Sequence, residues 1–326
     1  MKKPLVSVLL PVYNGSRYLR KAIDSILGQT FRDYEFVIID DGSADNTMEI
    51  IKSYRDERIR AIHQNNKGLA ATLNIGIVLC NGTYIARMDS DDISMPTRLE
   101  KQVTYMENHP RCALLGTRAE IWIGDKRTDR FHDHPTDNLS LKFELMFDNY
   151  FVHASVMLRK SALEDLGGYT TDPVRQPPED YELWSRFARK YEVANLPERL
   201  TIYREFPNSL SRVTTENPFV DKLIFLSSEN IAYELGLDEP SANILDLAAL
   251  IHNAPHRLSK HPNIKGICVL IDDLCQKINF LGTSSDVLNR ARFRRNMVKV
   301  KYLCTRYKHL GPVIQLAYEI RRLIKS

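Results

Sequence analysis

Over its first 110 residues the chain switches repeatedly between two hydrophobic periods. "LVSVLLPVY" is a continuous apolar run and predicts a buried strand over Leu5 to Leu10. "SRYLRKAIDSIL" follows with Leu19, Ala22, Ile23, Ile26 and Leu27 at helical spacing. "YEFVIID" predicts a second strand that runs into Asp40 and Asp41, and "SADNTMEIIKSY" carries helix-start signals at Ser43 and Asp45. "IRAIHQ" then reads as a strand, "GLAATLNIGIVLC" as a helix and "TYIARMD" as a strand. "MPTRLEKQVTYMENH" reads as a helix with Pro96 in its first turn, where a missing N–H costs nothing. Alternation at this spacing implies parallel strands joined by crossover helices. In such sheets ligands bind beyond the carboxyl ends of the strands. Chemistry is therefore expected at Pro11–Asn14, Asp40–Ser43 and Asp89–Asp92, all at strand ends.

From about residue 111 the alternation loosens. "CALLGTRAEIWI" predicts a strand or strand pair, and "GDKRTDRFHDHPTDN" a polar loop. "YFVHASVMLRKSALEDLGGY" predicts a strand, a short helix and a turn, and "PPEDYELWSRFARKY" a helix opened by acids. Helices dominate after about residue 213, over roughly 214–235, 241–252, 265–279, 284–308 and 311–325. The expected division is a catalytic domain over 1–212 and an α-helical region with a basic amphipathic tail over 213–326.

Composition narrows the class. Apolar residues make up 43% and charged residues 26%, which is ordinary for a globular protein, and no apolar run reaches the span of a membrane helix. The opening "MKKPLVSVLLPVYNGS" lacks a small-residue cleavage site and reads as a first strand, not a signal peptide. The cysteines, Cys80, Cys112, Cys268, Cys275 and Cys304, are odd in number and lack metal-ligand spacing, so reduced, mostly buried cytosolic thiols are expected. The net charge of +4 conceals an asymmetry: from Arg290 onward there are 11 Lys/Arg and one acid, Glu319. The remaining 289 residues carry a net charge of −6.

In "MDSDD", Asp89 and Asp91 offer two hard oxygen ligands that suit Mg2+ or Mn2+, with phosphate and water completing the shell. Asp92 reads either as part of that cluster or as a cap for the helix starting near Pro96. "DDGS" reads either as a turn and helix cap or as a carboxylate that accepts hydrogen bonds from a base or ribose edge. Glu179 and Asp180 read either as helix N-terminal acids or as an active-site pair. His132 and His134 with Asp133 read as a solvated loop, and His153 as a core histidine or a substrate contact.

"VSVLLPVYNG", "FVIIDDGSADNT", "NKGLAATLNIGI", "YIARMDSDD", "HASVMLRK" and "PPEDYELWSRF", in that order, resemble a family 2 glycosyltransferase of the GT-A fold over roughly residues 4 to 212. The resemblance implies a Rossmann-like α/β domain, a mostly parallel central sheet flanked by helices, with a helical C-terminal extension. It implies inverting transfer of a sugar from a nucleotide diphosphate donor, usually a UDP-sugar, assisted by a divalent metal. By the same resemblance Pro11, Val12, Tyr13 and Asn14 line the base and Asp41 hydrogen-bonds the uracil. Asn66, Lys67 and Gly68 lie near the donor phosphates or ribose, and His153 and Ser155 near the donor sugar and acceptor. Asp89, Ser90 and Asp91 match the DXD motif, with Asp91 holding the metal most directly. Asp180 matches the catalytic base, with Glu179 beside it.

Two departures stand out. Relatives often carry a histidine where "YREFPNSLS" has Phe206, so the metal is expected to have fewer protein ligands or the segment to act as a cover. The QxxRW motif of processive members is missing, with "LWSRF" in a similar place, which favours transfer of a single sugar. The basic tail reads either as a helical extension packed on protein or as an amphipathic surface for an anionic membrane. The expectation is a cytoplasmic enzyme, peripheral on the membrane's inner face, that glycosylates a glycan or lipid-linked glycan in bacterial surface polysaccharide synthesis. The rivals are a nucleotidyltransferase, for which "PVYNGSRY" is a poor phosphate loop, and a silent nucleotide-sugar binding or scaffold protein. Nucleic acid is not expected as a partner, because the main body is acidic and shows no nucleic-acid motif.

Overall fold

The structure is a computed structural model that describes residues 3–206, 218–312 and 315–316. The chain forms two compact units, Met1–Leu141 with Asn149–Arg212, and Lys142–Asp148 with Val213–Ser326.

The first unit is built on a nine-stranded sheet. Its strands are β1 (Val6–Val12), β2 (Tyr34–Asp40), β3 (Ile59–His63), β4 (Tyr84–Arg87), β5 (Ile93–Ser94), β6 (Cys112–Ile123), β7 (Lys126–His132), β8 (Met157–Arg159) and β9 (Glu192–Glu205). The order is β3-β2-β1-β4-β8-β6-β9-β5, with β7 paired to β6. The first four strands in that order are parallel. Beyond β4 the sheet is mixed: β8 runs antiparallel to both neighbours, β6 and β9 run parallel, and β5 and β7 are antiparallel additions.

Every residue of β1 is buried, as a central strand covered on both faces requires. Helix α1 (Ser16–Leu27) buries Leu19, Ala22, Ile23 and Ile26, the stripe its spacing predicts. Helices α2 (Thr47–Lys52), α3 (Leu69–Leu79) and α4 (Arg98–Asn108) follow as crossovers. The short helices α5 (Asn138–Leu145) and α6 (Lys160–Asp165) precede α7 (Glu179–Lys190).

Several sequence expectations change here. The polar segment 124–138 contains β7, which pairs antiparallel with β6 in place of a loop. His132 and His134 are half-buried against Tyr203 and Tyr150, edge to ring, rather than solvated. Asp92 does not cap a helix: it precedes β5 and accepts the Arg204 backbone N–H at 2.8 Å. The long strand β9 and helix α5 had no counterpart in the sequence reading.

The second unit holds α8 (Pro218–Leu235), α9 (Ala242–Ile251), α10 (Ile264–Phe280) and α11 (Ser285–Arg306). Ile267, Ile271, Leu274 and Ile278 of α10 and Val287, Ala291 and Val298 of α11 are buried. The buried Arg294 reaches Glu144 with Nε at 2.9 Å, and Arg290 reaches the same carboxylate at 3.3 Å. The expected boundary near 212–216, most of "YREFPNSLS" beyond Phe206 and most of the helix over 311–325 lie outside the described residues. Among the described residues no helix is long and apolar enough to cross a membrane. All five cysteines are free, with Cys80, Cys112 and Cys275 buried.

Candidate active site

The parallel register sets the carboxyl ends of β1, β2 and β4 along one edge of the sheet. Val12 pairs with Asp40, so the segments after β1 and β2 leave the sheet side by side. Two hydrogen bonds then tie them together. The Asn14 backbone N–H donates to Ser43 Oγ at 2.8 Å, and Asn14 Oδ1 accepts the Ala44 N–H at 2.8 Å. Asn14 holds this brace at a φ of +50°.

Asp41 is buried, and both its carboxylate oxygens are engaged by the chain. Oδ1 accepts Gln64 Nε2 at 2.7 Å and the Lys67 N–H at 2.9 Å, and Oδ2 accepts the Gly68 N–H at 3.0 Å. Gly42, at a φ of +80°, lets the chain pass where a Cβ would sit 2.7 Å from the Asn66 nitrogen. Together these contacts shape a cavity of about 200 Å³. Pro11, Val12, Tyr13, Asp41, Asn66 and Gly68, all expected at a nucleotide site, line it. Leu69 and Thr72 also line it, and sequence reasoning missed both. Thr72 is joined to Asp41 through Gln64, whose amide donates to Thr72 Oγ1 at 2.9 Å. Asn14 belongs to the brace and Lys67 to the Asp41 loop, and neither lines the cavity.

The acid loop follows β4. One oxygen from each of Asp89, Asp91 and Asp92 lies within 4.8 Å of the others. Gly15 brings this loop close to the end of β1: a Cβ there would meet Val12 Cγ2 at 2.5 Å and Ser90 Oγ at 3.1 Å. Asp89 pairs with Arg87, a buried guanidinium on β4. Asp91 is half-buried; burial, and then the neighbouring Asp89, push its carboxyl up to about 6. Asp92 is buried, and burial followed by Asp89 and Asp91 pushes it well above the carboxylate range. Among the described residues its Oδ2 has no hydrogen-bond partner. A buried carboxylate oxygen without a partner, inside a cluster of three acids, fits a divalent cation taken through oxygen ligands.

The acidic start of α7 divides into two parts. Glu182 is paired with Arg186 at 2.7 Å and with Arg175 at 3.6 Å, so its work is structural. Glu179 and Asp180 have no ion-pair partner among the described residues. Asp180 Oδ2 accepts Asn149 Nδ2 at 2.8 Å, and Oδ1 accepts the Tyr181 N–H at 2.7 Å. Burial, and then Glu179, push the Asp180 carboxyl up to about 7, and burial raises Glu179 as well. A carboxyl titrating near neutrality is suited to taking a proton. Arg87 lowers Asp91, Asp92, Glu179 and Asp180 alike, so one buried cation serves both acidic groups.

His153 stands apart from the cavity. Its Nε2 lies 2.8 Å from the Tyr169 hydroxyl, its ring meets Trp184 edge-on at 5.7 Å, and burial drives its pKa well below the usual value. It is a neutral histidine in an aromatic cluster. Ser155 is buried and accepts the Thr117 N–H at 3.2 Å. Phe206 packs on Tyr18, with ring centroids 5.5 Å apart. Arg204 lies between these aromatics and the acid loop, over the Tyr18 ring at 4.7 Å and bonded to the Asp91 carbonyl.

The chain resembles proteins of one kind. The family described as glycosyl transferase family 2 matches residues 7–167. EpsE of Bacillus subtilis, assigned by name to the glycosyltransferases, is 36% identical over 216 residues, covering 64% of this chain and 76% of that protein. A glycosyltransferase of Haemophilus influenzae is 31% identical over 265 residues, covering 76% and 81%. Among solved structures, S. aureus TarS bound to UDP-GlcNAc superposes with a TM-score of 0.60 over 93% of this chain and 92% of that one, at 16% identity. The mannosyltransferase PcManGT from Pyrobaculum calidifontis, bound to GDP-Man and Mn2+, gives 0.54 over 94% and 88%, at 14% identity. The fold is that of the GT-A glycosyltransferases, and the chain belongs to glycosyltransferase family 2 and is an enzyme of that family.

Proposed function

We propose that this enzyme transfers a single sugar, with inversion, from a UDP-sugar to a glycan acceptor. The observation that carries the reading is a cavity of about 200 Å³ and a three-acid cluster at the carboxyl ends of parallel strands, together with a carboxyl on α7 that is raised to about 7 and feels the same Arg87 as the acids. The uracil enters the cavity beside Pro11, Val12 and Tyr13, and the Asp41 loop meets the ribose and phosphates through Asn66, Lys67 and Gly68. Asp89 and Asp91 hold Mn2+ or Mg2+, with Ser90 between them. When bound, the cation offsets the charge that develops on the departing diphosphate. Asp180 takes the proton from the acceptor hydroxyl as that oxygen attacks the anomeric carbon. The bond from that carbon to the phosphate oxygen breaks, and its electron pair leaves with UDP. Attack from the face opposite the diphosphate inverts the centre. Glu179 keeps the Asp180 carboxyl basic by repulsion. The neutral His153 stands behind the sugar subsite.

A nucleotide-sugar donor agrees with what TarS and PcManGT bind, UDP-GlcNAc and GDP-Man. The choice of uridine follows the family resemblance. In this reading residues 1–212 are catalytic, and 213–326 form a helical accessory region that serves a lipid-linked acceptor of surface polysaccharide synthesis. Arg290, Arg294 and Arg295 are engaged with Asp286, Glu144 and Asp272. Among the described residues, contact with the cytoplasmic membrane face therefore falls to the exposed Arg292, Lys299 and Arg306.

The test is a panel of UDP- and GDP-sugars with Mn2+ and with EDTA, with and without lipid-linked glycan, read as released nucleoside diphosphate. Metal-dependent release from a UDP-sugar is expected. Release only from a GDP-sugar would overturn the donor, and release unaffected by EDTA would overturn the metal.

A further inference from the structure

We propose, on the reading of Asp180 as the base, that Asn149 is its positioning residue: the amide fixes one carboxylate oxygen and favours the form that accepts a proton. Nothing in the sequence singles out Asn149, which lies 31 positions from Asp180. In the fold its Nδ2 donates to Asp180 Oδ2 at 2.8 Å, while its Oδ1 accepts the Phe151 N–H at 3.0 Å. The second bond decides the first. With the amide turned over, a carbonyl oxygen would face a carboxylate and an NH2 would face an N–H.

The anchor itself is rigid. Phe151 is buried, and its ring lies 6.1 Å from that of Trp184, which is fully buried on α7, the helix that carries Asp180. Donor and acceptor are thus pegged to the same packed aromatic group. The remaining bond to Asp180, from the Tyr181 N–H at 2.7 Å, occupies the other oxygen.

Among the described residues, the charged and titratable groups that face Asp180 are Glu179 on its own helix, Arg87 from β4 and the buried Tyr169 phenol. Glu179 and burial favour the protonated form, while Arg87 and the two hydrogen bonds oppose them. A neutral amide suits this balance. A lysine at 149 would hold the carboxyl too acidic to take a proton, and an aspartate would repel it.

The experiment is a carboxyl-carbon NMR titration of the full chain with 13C-labelled aspartate, the Asp180 signal being assigned by its loss in Asp180→Asn. The wild-type signal is expected to titrate at about 7. In Asn149→Ala the midpoint rises by about one pH unit, and in Asn149→Asp by more. Asn149→Ser keeps a donor hydroxyl and serves if the alanine variant does not fold, with a smaller rise. A midpoint that stays put or falls in a folded variant overturns the proposal. Failure of the base reading is a separate event: Asp180→Asn would then transfer sugar at the wild-type rate, while the titration would still report whether the amide holds the carboxylate.

Discussion

The two units treat buried charge in opposite ways. In the helical unit Glu144 is closed off by Arg294 and Arg290, and Asp246 takes both the Ser259 N–H and its hydroxyl at 2.7 Å. Every charge named there has a partner. In the sheet unit Asp89, Asp91, Asp92, Glu179 and Asp180 gather around the buried Arg87, with Arg204 beside Asp91, and among the described residues Asp92 Oδ2 has no hydrogen-bond partner. Paired buried charge fixes a structure, whereas surplus buried charge stores an unmet demand for a cation or a proton. The difference separates a scaffold from a site without reference to any ligand.

The contrast can be broken at either end. The largest effect is expected at the proposed base: Asp180→Asn should cut transfer by roughly 10²- to 10⁴-fold and leave the nucleotide dissociation constant unchanged. A variant that transfers at the wild-type rate would remove Asp180 from the chemistry. Asp91→Ala should abolish the metal-dependent part of UDP binding, measured by calorimetry with Mn2+ and with EDTA. In the helical unit, Glu144→Gln leaves Arg294 buried without a counter-charge and should cost about 3–5 kcal/mol in chemical denaturation, with UDP binding intact.

The smallest effect concerns pH. The folded carboxyls of Asp91 and Asp92 titrate above their unfolded values, so their ionisation weakens the metal-free fold. Stability should therefore rise as the pH falls from 8 through the Asp91 value of about 6. Asp92→Asn should raise the metal-free Tm at pH 8 and flatten that slope. A lower Tm at pH 8 would mean that Asp92 contributes more as a partner of Arg204 than it costs as a charge. Transfer by the wild type should decline as the pH drops below the Asp180 value of about 7. A flat rate between pH 6 and 8 would contradict that titration.

Much of the site was legible in the sequence because parallel strands leave two plain marks. They are continuous apolar runs, and their carboxyl ends carry the ligands, so Pro11, Asp41 and Asp89 could be placed before any geometry was known. The missing parts lack such marks. β7 is "KRTDRFH", exposed along most of its length, and no alternation betrays it. β9 is interrupted by Pro197 and by register shifts against β6, so its period does not persist. Asn149, Gln64 and Thr72 are ordinary polar residues whose importance comes from what lies across space. His153 showed its residue type but not its surroundings: only the fold reveals the Tyr169 hydroxyl and Trp184 ring that hold it neutral.

Helix α7 ends at Lys190 and β9 begins at Glu192, with Tyr191 alone between them. One continuous run of chain therefore carries Asp180 at its start and, at its far end, Arg204, whose backbone and guanidinium grip the loop of Asp91 and Asp92. That stretch works as a ruler between the Asp180 carboxyl and the three-acid cluster. Length changes over 170–176 fall outside that stretch. A residue gained or lost anywhere between Asp180 and Arg204 would shift one end against the other, so an insertion scan across 166–205 should find tolerance over 170–176 and lost transfer from 180 onward.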